Sequence, residues 1–375
     1  MAEAMHIGID ARLVYYTQAG IGEYTLRLTQ TLAAMYGDDR FTLLQDRRDE
    51  RALVSAPNVQ LARTRVPSHH RVEQLLLPWV ADHLHVDVFH SPDFIPPLRA
   101  RVPSVITIHD LAFLIYPHFV TKEGARYYGQ IDRAVRRADQ IIAVSESTRR
   151  DLIHMLGAPE EKITVIHEAA DPQFQPEDRA AALRHVKMQF NLPDDFILFV
   201  STIEPRKNVG GLLRAYRRLR DDYKLKPALA LVGAQGWLSD DVYKLVDTLN
   251  LKSACFFLGR VSNRDLFHLY NAARCLVHPA FYEGFGLTPL EAMACGAPVI
   301  VSNVSSLPEV VGDAALLVDP QHDEEITVAL WRVLTDEALQ KSLRAKGLLR
   351  AAQFSWRRAA EQTMAVYRKA ARCQT

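Results

Sequence analysis

Two carboxylates, Glu283 and Glu291, bracket the stretch Glu283-Gly-Phe-Gly-Leu-Thr-Pro-Leu-Glu291 with seven residues between them. Paired carboxylates can work as acid and base or bind hydroxyls and cations. The spacing also spells a helix start: Thr288 suits an N-cap, Pro289 the first helical position and Glu291 the third, the capping-box order. Gly296 and Pro298 then end a short helix expected over 289–295. A glycine-rich entrance to a helix presents backbone N–H groups and the positive end of the helix dipole, which suits a phosphate. A plainer explanation is that Glu291 only completes its capping box and Glu283 is a solvated loop carboxylate.

Other candidates are expected just beyond strand ends. In Ala19-Gly20-Ile21-Gly22 two glycines let a ligand approach the backbone at a helix start, although a tight turn explains them as well. Thr107-Ile108-His109-Asp110 closes an apolar strand, and His109 could donate to or polarise substrate hydroxyls; a lone histidine more often simply packs. Glu204-Pro205-Arg206-Lys207-Asn208 sets two adjacent cations where they could neutralise a pyrophosphate, or form an exposed basic turn. Leu258-Gly259-Arg260-Val261-Ser262 could meet a nucleobase edge, and a routine strand–turn–helix accounts for the same residues. His278-Pro279-Ala280-Phe281-Tyr282 ends a strand directly before Glu283, which hangs the Glu283 loop over the end of a sheet.

The elements that must position these residues alternate short apolar runs with longer amphipathic ones, the pattern of parallel sheets covered by helices. Strands are expected near 5–9, 41–45, 59–64, 87–90, 104–108, 140–144 and 163–167, with helices near 21–36, 70–84, 122–138 and 147–156. A second series follows, with strands near 196–201, 228–232, 254–258, 274–278, 298–302 and 315–318. Its helices fall near 209–222, 239–250, 262–273 and 289–295, and the tail from Asp323 is helical. Asp171-Pro-Gln-Phe-Gln-Pro-Glu-Asp reads as a linker. The expected fold class is α/β: two facing Rossmann-like, doubly wound parallel-sheet domains. The first spans 1–170, a linker 171–190, and the second 191–355, with a C-terminal helix over 356–372 packing back on the first. Such sheets bind ligands in the cleft at their strand C-termini.

At 375 residues the chain is too long for one ordinary core. Its net charge of +1 offers no argument for a nucleic-acid partner. Arg133, Arg136, Arg137, Arg149 and Arg150 form local basic clusters, read first as solvated helix faces and second as a weak peripheral membrane contact. Four cysteines without a C-x-x-C pair, most of them in apolar runs, fit a reduced, cytoplasmic protein. No signal peptide and no 18-residue uncharged apolar run is evident.

Taken together, these residues resemble glycosyltransferase family 4, group 1 glycosyltransferases that retain configuration and have the GT-B fold. The resemblance covers nearly the whole chain. It is carried most specifically by His278-Pro-Ala-Phe-Tyr-Glu-Gly-Phe-Gly-Leu-Thr-Pro-Leu-Glu-Ala-Met-Ala-Cys-Gly-Ala-Pro-Val-Ile, similar to the family's E-x7-E signature. Ala19-Gly-Ile-Gly, Ile108-His-Asp-Leu, Val144-Ser-Glu-Ser-Thr, Glu204-Pro-Arg-Lys-Asn and Leu258-Gly-Arg-Val are also similar. The resemblance implies that His109, Glu283, Arg206 and Lys207 carry the chemistry. Glu283 would bind donor-sugar hydroxyls and Glu291 the ribose. Arg206 and Lys207 would hold the pyrophosphate, helped by the backbone of Gly284, Phe285, Gly286, Leu287 and Thr288 and by Gly20 and Gly22. His109 would contact the sugar near the reacting carbon, and Arg260 and Val261 would border the base. Many members carry Gly-Arg where this chain has Ser201-Thr202, so Arg206 is expected to supply the missing charge.

The implied function is retaining transfer of a hexose from a nucleotide-diphosphate sugar to a hydroxyl of a saccharide or lipid-linked glycan. GDP-mannose is favoured over a UDP-sugar, because the Glu-Pro-Arg-Lys-Asn and Gly-Ile-Gly-Glu-Tyr variants look like those of mannosyltransferases of surface polysaccharide assembly. GDP or UDP would leave, and fixed cations and N–H groups would stabilise its developing charge. The chain has no D-x-D triplet, so no divalent metal, and no cofactor besides the donor, is expected. No convincing enzymic nucleophile stands out, which favours same-face attack with the departing phosphate as base. The acceptor is expected around 12–20, 65–75 and 110–128, where Tyr15, Tyr16, His69, His70, Phe113, Tyr127 and Tyr128 mix. The expected location is the cytoplasm, with the inner face of the membrane as the second reading. Two alternatives are a nucleotide-sugar epimerase on the same scaffold and a non-catalytic nucleotide-sugar-binding protein. A nicotinamide dehydrogenase is disfavoured by the absence of G-x-G-x-x-G after the first strand.

Overall fold

The computed structural model describes residues 4–16, 20–70, 72–117, 127–236 and 240–372. They form two compact units, one from residues 1–168 together with 355–375, the other from 169–354.

The first unit is built on seven parallel strands, His6–Asp10 (β1), Arg40–Asp46 (β2), Val59–Thr64 (β3), Val88–Ser91 (β4), Ser104–Ile108 (β5), Gln140–Ala143 (β6) and Ile163–Val165 (β7). Their order is β3-β2-β1-β4-β5-β6-β7. β4, β5 and β6 are buried along their whole length, as expected of central parallel strands with helices on both faces. β3, at the edge, exposes half of its residues to solvent. The order reverses between β1 and β4, which are hydrogen-bonded neighbours. At such a switch the flanking connections leave toward opposite faces and open a crevice at the strand C-termini.

The helix Trp356–Arg372 belongs to this unit although it is last in the chain. It packs on the helix Ile21–Met35, burying Trp356, Ala360, Met364 and Tyr367. The Tyr367 hydroxyl lies 2.7 Å from His90 Nδ1. Of the helix expected over 122–138, residues 127–128 are helical and Ile131–Arg137 form a helix after a turn; residues 118–126 lie outside the described residues. Ala19, Ser239 and Cys373 also lie outside them.

The second unit has six parallel strands, Phe196–Val200 (β8), Ala228–Val232 (β9), Cys255–Gly259 (β10), Cys275–His278 (β11), Val299–Ser302 (β12) and Leu316–Val318 (β13). They follow the order β10-β9-β8-β11-β12-β13, with the reversal between β8 and β11. Ile197, Phe199, Leu212, Tyr216, Leu229 and Leu330 are fully buried members of one core under this sheet.

The stretch expected as a linker over 171–190 is different in part. Residues Arg179–Phe190 form a helix, N-capped by Asp178, which accepts from the Ala181 N–H at 2.9 Å. Ala182 and Val186, one helical turn apart, are buried, and the helix packs on Asn263–Ala272 of the same unit. So narrow an apolar stripe among charged neighbours gives little signal in the sequence. Among the described residues, no helix is long and apolar enough to cross a membrane.

Candidate active site

The best-formed polar site of the second unit lies at its order reversal. β8 and β11 are adjacent, and their C-terminal continuations carry the Arg206-Lys207 turn and Glu283 respectively. Beyond β8 the backbone is pinned by neighbouring loops: the Ser201 N–H donates to the Val232 carbonyl and the Ile203 N–H to that of Ala234. Gly233 is required here. It has a φ of +143°, and a Cβ on it would come within 1.9 Å of the Ser201 carbonyl oxygen. Pro205 opens a short 3-10 turn to Lys207, and Asn208, at φ 55°, ends it. The Asn208 carboxamide then caps the helix Val209–Asp222 by accepting from the Gly211 N–H, and its amide donates to the Pro320 carbonyl. The two cations are thus presented by a rigid turn.

Glu283 is the hub of this site. Its Oε1 accepts from Lys207 Nζ at 2.5 Å and from His278 Nε2 at 2.6 Å, while Arg206 lies 3.7 Å from Oε2. Burial alone would raise the Glu283 pKa. The Lys207 charge, the His278 hydrogen bond and Arg206 overcome it and hold the carboxyl well below its usual range. Glu283 is therefore an ionised group at neutral pH, not a proton donor. The guanidinium of Arg206 also donates to Glu204 Oε1 and to the Tyr282 carbonyl, so its orientation is fixed. Lys207 is 8% exposed. Such fixed, poorly hydrated charges can stabilise an anion without reorganising.

The Glu283 loop is held from below by two serines. The Glu283 N–H donates to Ser305 Oγ at 2.9 Å, and the single Ser306 hydroxyl proton is shared between the Glu283 and Phe285 carbonyls, 2.8 and 2.7 Å from Oγ. The helix start differs from the capping box expected at Thr288. The helix runs Leu287–Ala294 with Gly286 as N-cap at φ 109° and no side-chain cap. Pro289 lies inside the first turn, where its missing N–H costs nothing. Glu291 instead accepts from the Tyr270 hydroxyl at 2.9 Å. A positive φ admits glycine more readily than threonine, so the loop geometry overrides the propensity of Thr288. The consequence suits a phosphate, since the first turn keeps its N–H groups clear of a capping side chain.

Ser201 and Thr202 follow β8 directly, and Arg260 and Val261 follow β10, with Arg260 and Thr202 exposed. Ser262 caps the next helix by accepting from the Asp265 N–H. These residues, with Arg206, Lys207, Glu283 to Thr288 and Glu291, all belong to the second unit.

His109, Gly20 and Gly22 belong to the first unit. Gly20, at φ 56°, is the N-cap of the helix Ile21–Met35. One turn on, Tyr24 sets its ring edge-on against the His109 ring, with centroids 4.8 Å apart. Both ring nitrogens of His109 have partners: Nδ1 is 3.0 Å from Glu168 Oε1 and Nε2 is 3.0 Å from the Pro92 carbonyl. Beside it, at the β1–β4 reversal, Arg12 is buried with its guanidinium bonded to Asp10 and Glu73. Asp93 pairs there with His69, whose ring stacks on Tyr127.

His278, Glu168, Asp93 and Tyr270 are among the residues of these clusters that residue type alone gave no role. His278 had a usable signal, as the last residue of an apolar strand five positions before Glu283. Glu168, Asp93 and Tyr270 had none, because their partners lie 59, 24 and 21 residues away in sequence.

Two order-reversed parallel α/β sheets, each with polar residues gathered at its strand C-termini, define a GT-B architecture, and solved structures agree over the whole chain. Sucrose-phosphate synthase from Thermosynechococcus elongatus matches with a TM-score of 0.79 at 23% identity, covering 97% of this chain and 98% of that one. HepE of Anabaena, in complex with UDP and glucose, matches with a TM-score of 0.75 at 19% identity, covering 96% and 98%. Residues 19–174 match the profile described as Glycosyltransferase Family 4, and residues 183–350 that of Glycosyl transferases group 1. O-antigen chain mannosyltransferase B of Escherichia coli is 33% identical over 372 residues, 95% of this chain and 97% of that protein. The chain belongs to glycosyltransferase family 4 and is a group 1 glycosyltransferase.

Proposed function

We propose that this glycosyltransferase moves mannose from GDP-mannose, with retention of configuration, to a hydroxyl of a saccharide or lipid-linked glycan. The observation that carries it is the ionised Glu283 carboxylate held between Lys207, His278 and Arg206 at the β8–β11 reversal. The cations and the uncapped helix start at Leu287 suit the diphosphate, and Glu283 Oε2, away from the Lys207 and His278 hydrogen bonds, suits sugar hydroxyls. Glu291, oriented by Tyr270, is assigned to the ribose, and Arg260 and Val261 to the base. Mannose is chosen because a relative that spans 95% of the chain at 33% identity is named a mannosyltransferase. HepE, whose structure holds UDP and glucose, shares only 19% identity and supports the fold alone.

In the transfer step the bond between the sugar's anomeric carbon and the β-phosphate oxygen breaks, and a bond to the acceptor oxygen forms on the same face. The acceptor's proton passes to the departing phosphate oxygen. Lys207, Arg206 and the N–H groups at Leu287 and Thr288 then balance charge without a divalent metal in the donor site.

The test is a panel of GDP- and UDP-sugars with saccharide and lipid-linked acceptors, read by nucleoside diphosphate release and by NMR of the product's anomeric proton. Acceptor-dependent GDP release with an α-mannoside product is expected. Inversion of configuration, or a strict need for an added divalent ion, would refute the mechanism. Donor turnover without acceptor would point to an epimerase.

A further inference from the structure

Glu168 follows β7 at the point where the chain leaves the first unit, and it is buried. Its Oε1 lies 3.0 Å from His109 Nδ1, while His109 Nε2 lies 3.0 Å from the Pro92 carbonyl oxygen. A carboxylate and a carbonyl can only accept. A ring that satisfies both must donate from both nitrogens, and only the imidazolium does that. The edge-on Tyr24 ring holds the plane of His109.

The groups around this ring agree with a positive charge. Burial alone would lower the His109 pKa; the Glu168 hydrogen bond and charge, the Pro92 carbonyl and Asp93 outweigh it and raise the pKa. His90, on the adjacent strand, is instead pushed down to about 3 by burial and by the His109 charge. It stays neutral between Thr107 and the Tyr367 hydroxyl.

We propose that Glu168 is a positioning residue that holds His109 as a fixed, doubly donating cation at the C-terminal end of β5, and thereby sets the alkaline limit of sugar transfer. The role in transfer rests on the reaction proposed above; the pairing does not. His109 then acts through its charge and placement, since neither nitrogen is left to donate to a substrate hydroxyl.

The test combines a histidine-ring NMR titration of the full chain with the pH profile of kcat/KM, in wild type and in Glu168→Gln. The His109 resonances are assigned by their loss in His109→Gln. Glu168→Gln keeps the shape and an accepting oxygen while removing the charge. In wild type the ring is expected to stay doubly protonated through neutral pH. In Glu168→Gln it should titrate at lower pH, and the alkaline limb of kcat/KM should move down with it. The variant then loses about tenfold at pH 8 and recovers under acid conditions, a profile no purely structural defect produces. Glu168→Asp, which returns the charge, should move the limb back toward wild type; no recovery would count against the charge.

An unchanged His109 titration in Glu168→Gln overturns the pairing. A limb that stays in place while the ring titration shifts overturns the role in transfer. Wild-type protein that releases no nucleoside diphosphate from any donor refutes the transfer reaction alone, because the ring titration is read without substrate.

Discussion

Lys207 Nζ donates to Glu283 Oε1 across two loops that continue neighbouring strands and lie 76 residues apart in sequence. Lys207 is buried and Glu283 only slightly exposed, and His278 Nε2 is the second partner of the same carboxylate oxygen. The pair is a preformed charge arrangement at the sheet's order reversal, where a doubly wound fold offers its crevice.

Lys207→Ala should lower kcat by about 100- to 1000-fold, the scale of losing a fixed donor to a developing anion. It should also lower Tm, because the half-buried Glu283 is left with one cation fewer. Steady-state kinetics and a thermal melt separate the two effects. Near-normal turnover in a folded variant would remove Lys207 from the phosphate clamp.

Glu283→Gln should weaken sugar recognition more than nucleotide binding, read as a larger rise in KM for the sugar nucleotide than in Kd for the nucleoside diphosphate. It should also change stability against pH in a defined direction. The Glu283 pKa is depressed in the folded state, so its ionised form stabilises the protein above the usual 4.5. That contribution is lost as pH falls through the folded pKa. Denaturant unfolding should show a wild-type advantage that is constant above about pH 5 and shrinks in more acid solution. An advantage that grows on acidification would contradict the charge network.

Gly233→Ala should be destabilising by at least about 2 kcal/mol, because a Cβ would meet the Ser201 carbonyl and the backbone is in a region that favours glycine. The displaced loop carries Ser201 and Thr202, so nucleotide affinity should fall as well. Calorimetric melts and a nucleotide titration check both expectations; a neutral Tm would mean that the loop has room to shift.

Arg12→Ala should cost about 3–5 kcal/mol, since it leaves Asp10 and Glu73 facing each other with Arg12's charge gone. Glu73 already has its pKa raised, first by burial. Arg12→Ala should raise it further, so the loss should be smaller at pH 5 than at pH 8 in chemical unfolding. A loss that does not depend on pH would show that Arg12 acts by packing alone.

Much of the fold is legible in the residues themselves. Continuous apolar runs such as Phe196–Val200 suit only strands buried on both faces, and stop signals such as Gly157 mark helix ends locally. The E-x7-E stretch and the Arg206-Lys207 turn are likewise local patterns, so the resemblance to the family, and the donor residues it implies, could be drawn from them. Tertiary structure decided what these residues do to one another. It moved the helix start from Thr288 to Gly286 through the backbone, turned Glu291 toward Tyr270, and made Glu283 a half-buried, charge-paired hub instead of a solvated carboxylate. It also made part of the expected linker a helix and gave His109 two partners. These outcomes depend on contacts between residues tens of positions apart, and local propensity and spacing carry no term for the charge, burial or reach of a partner that only folding brings near.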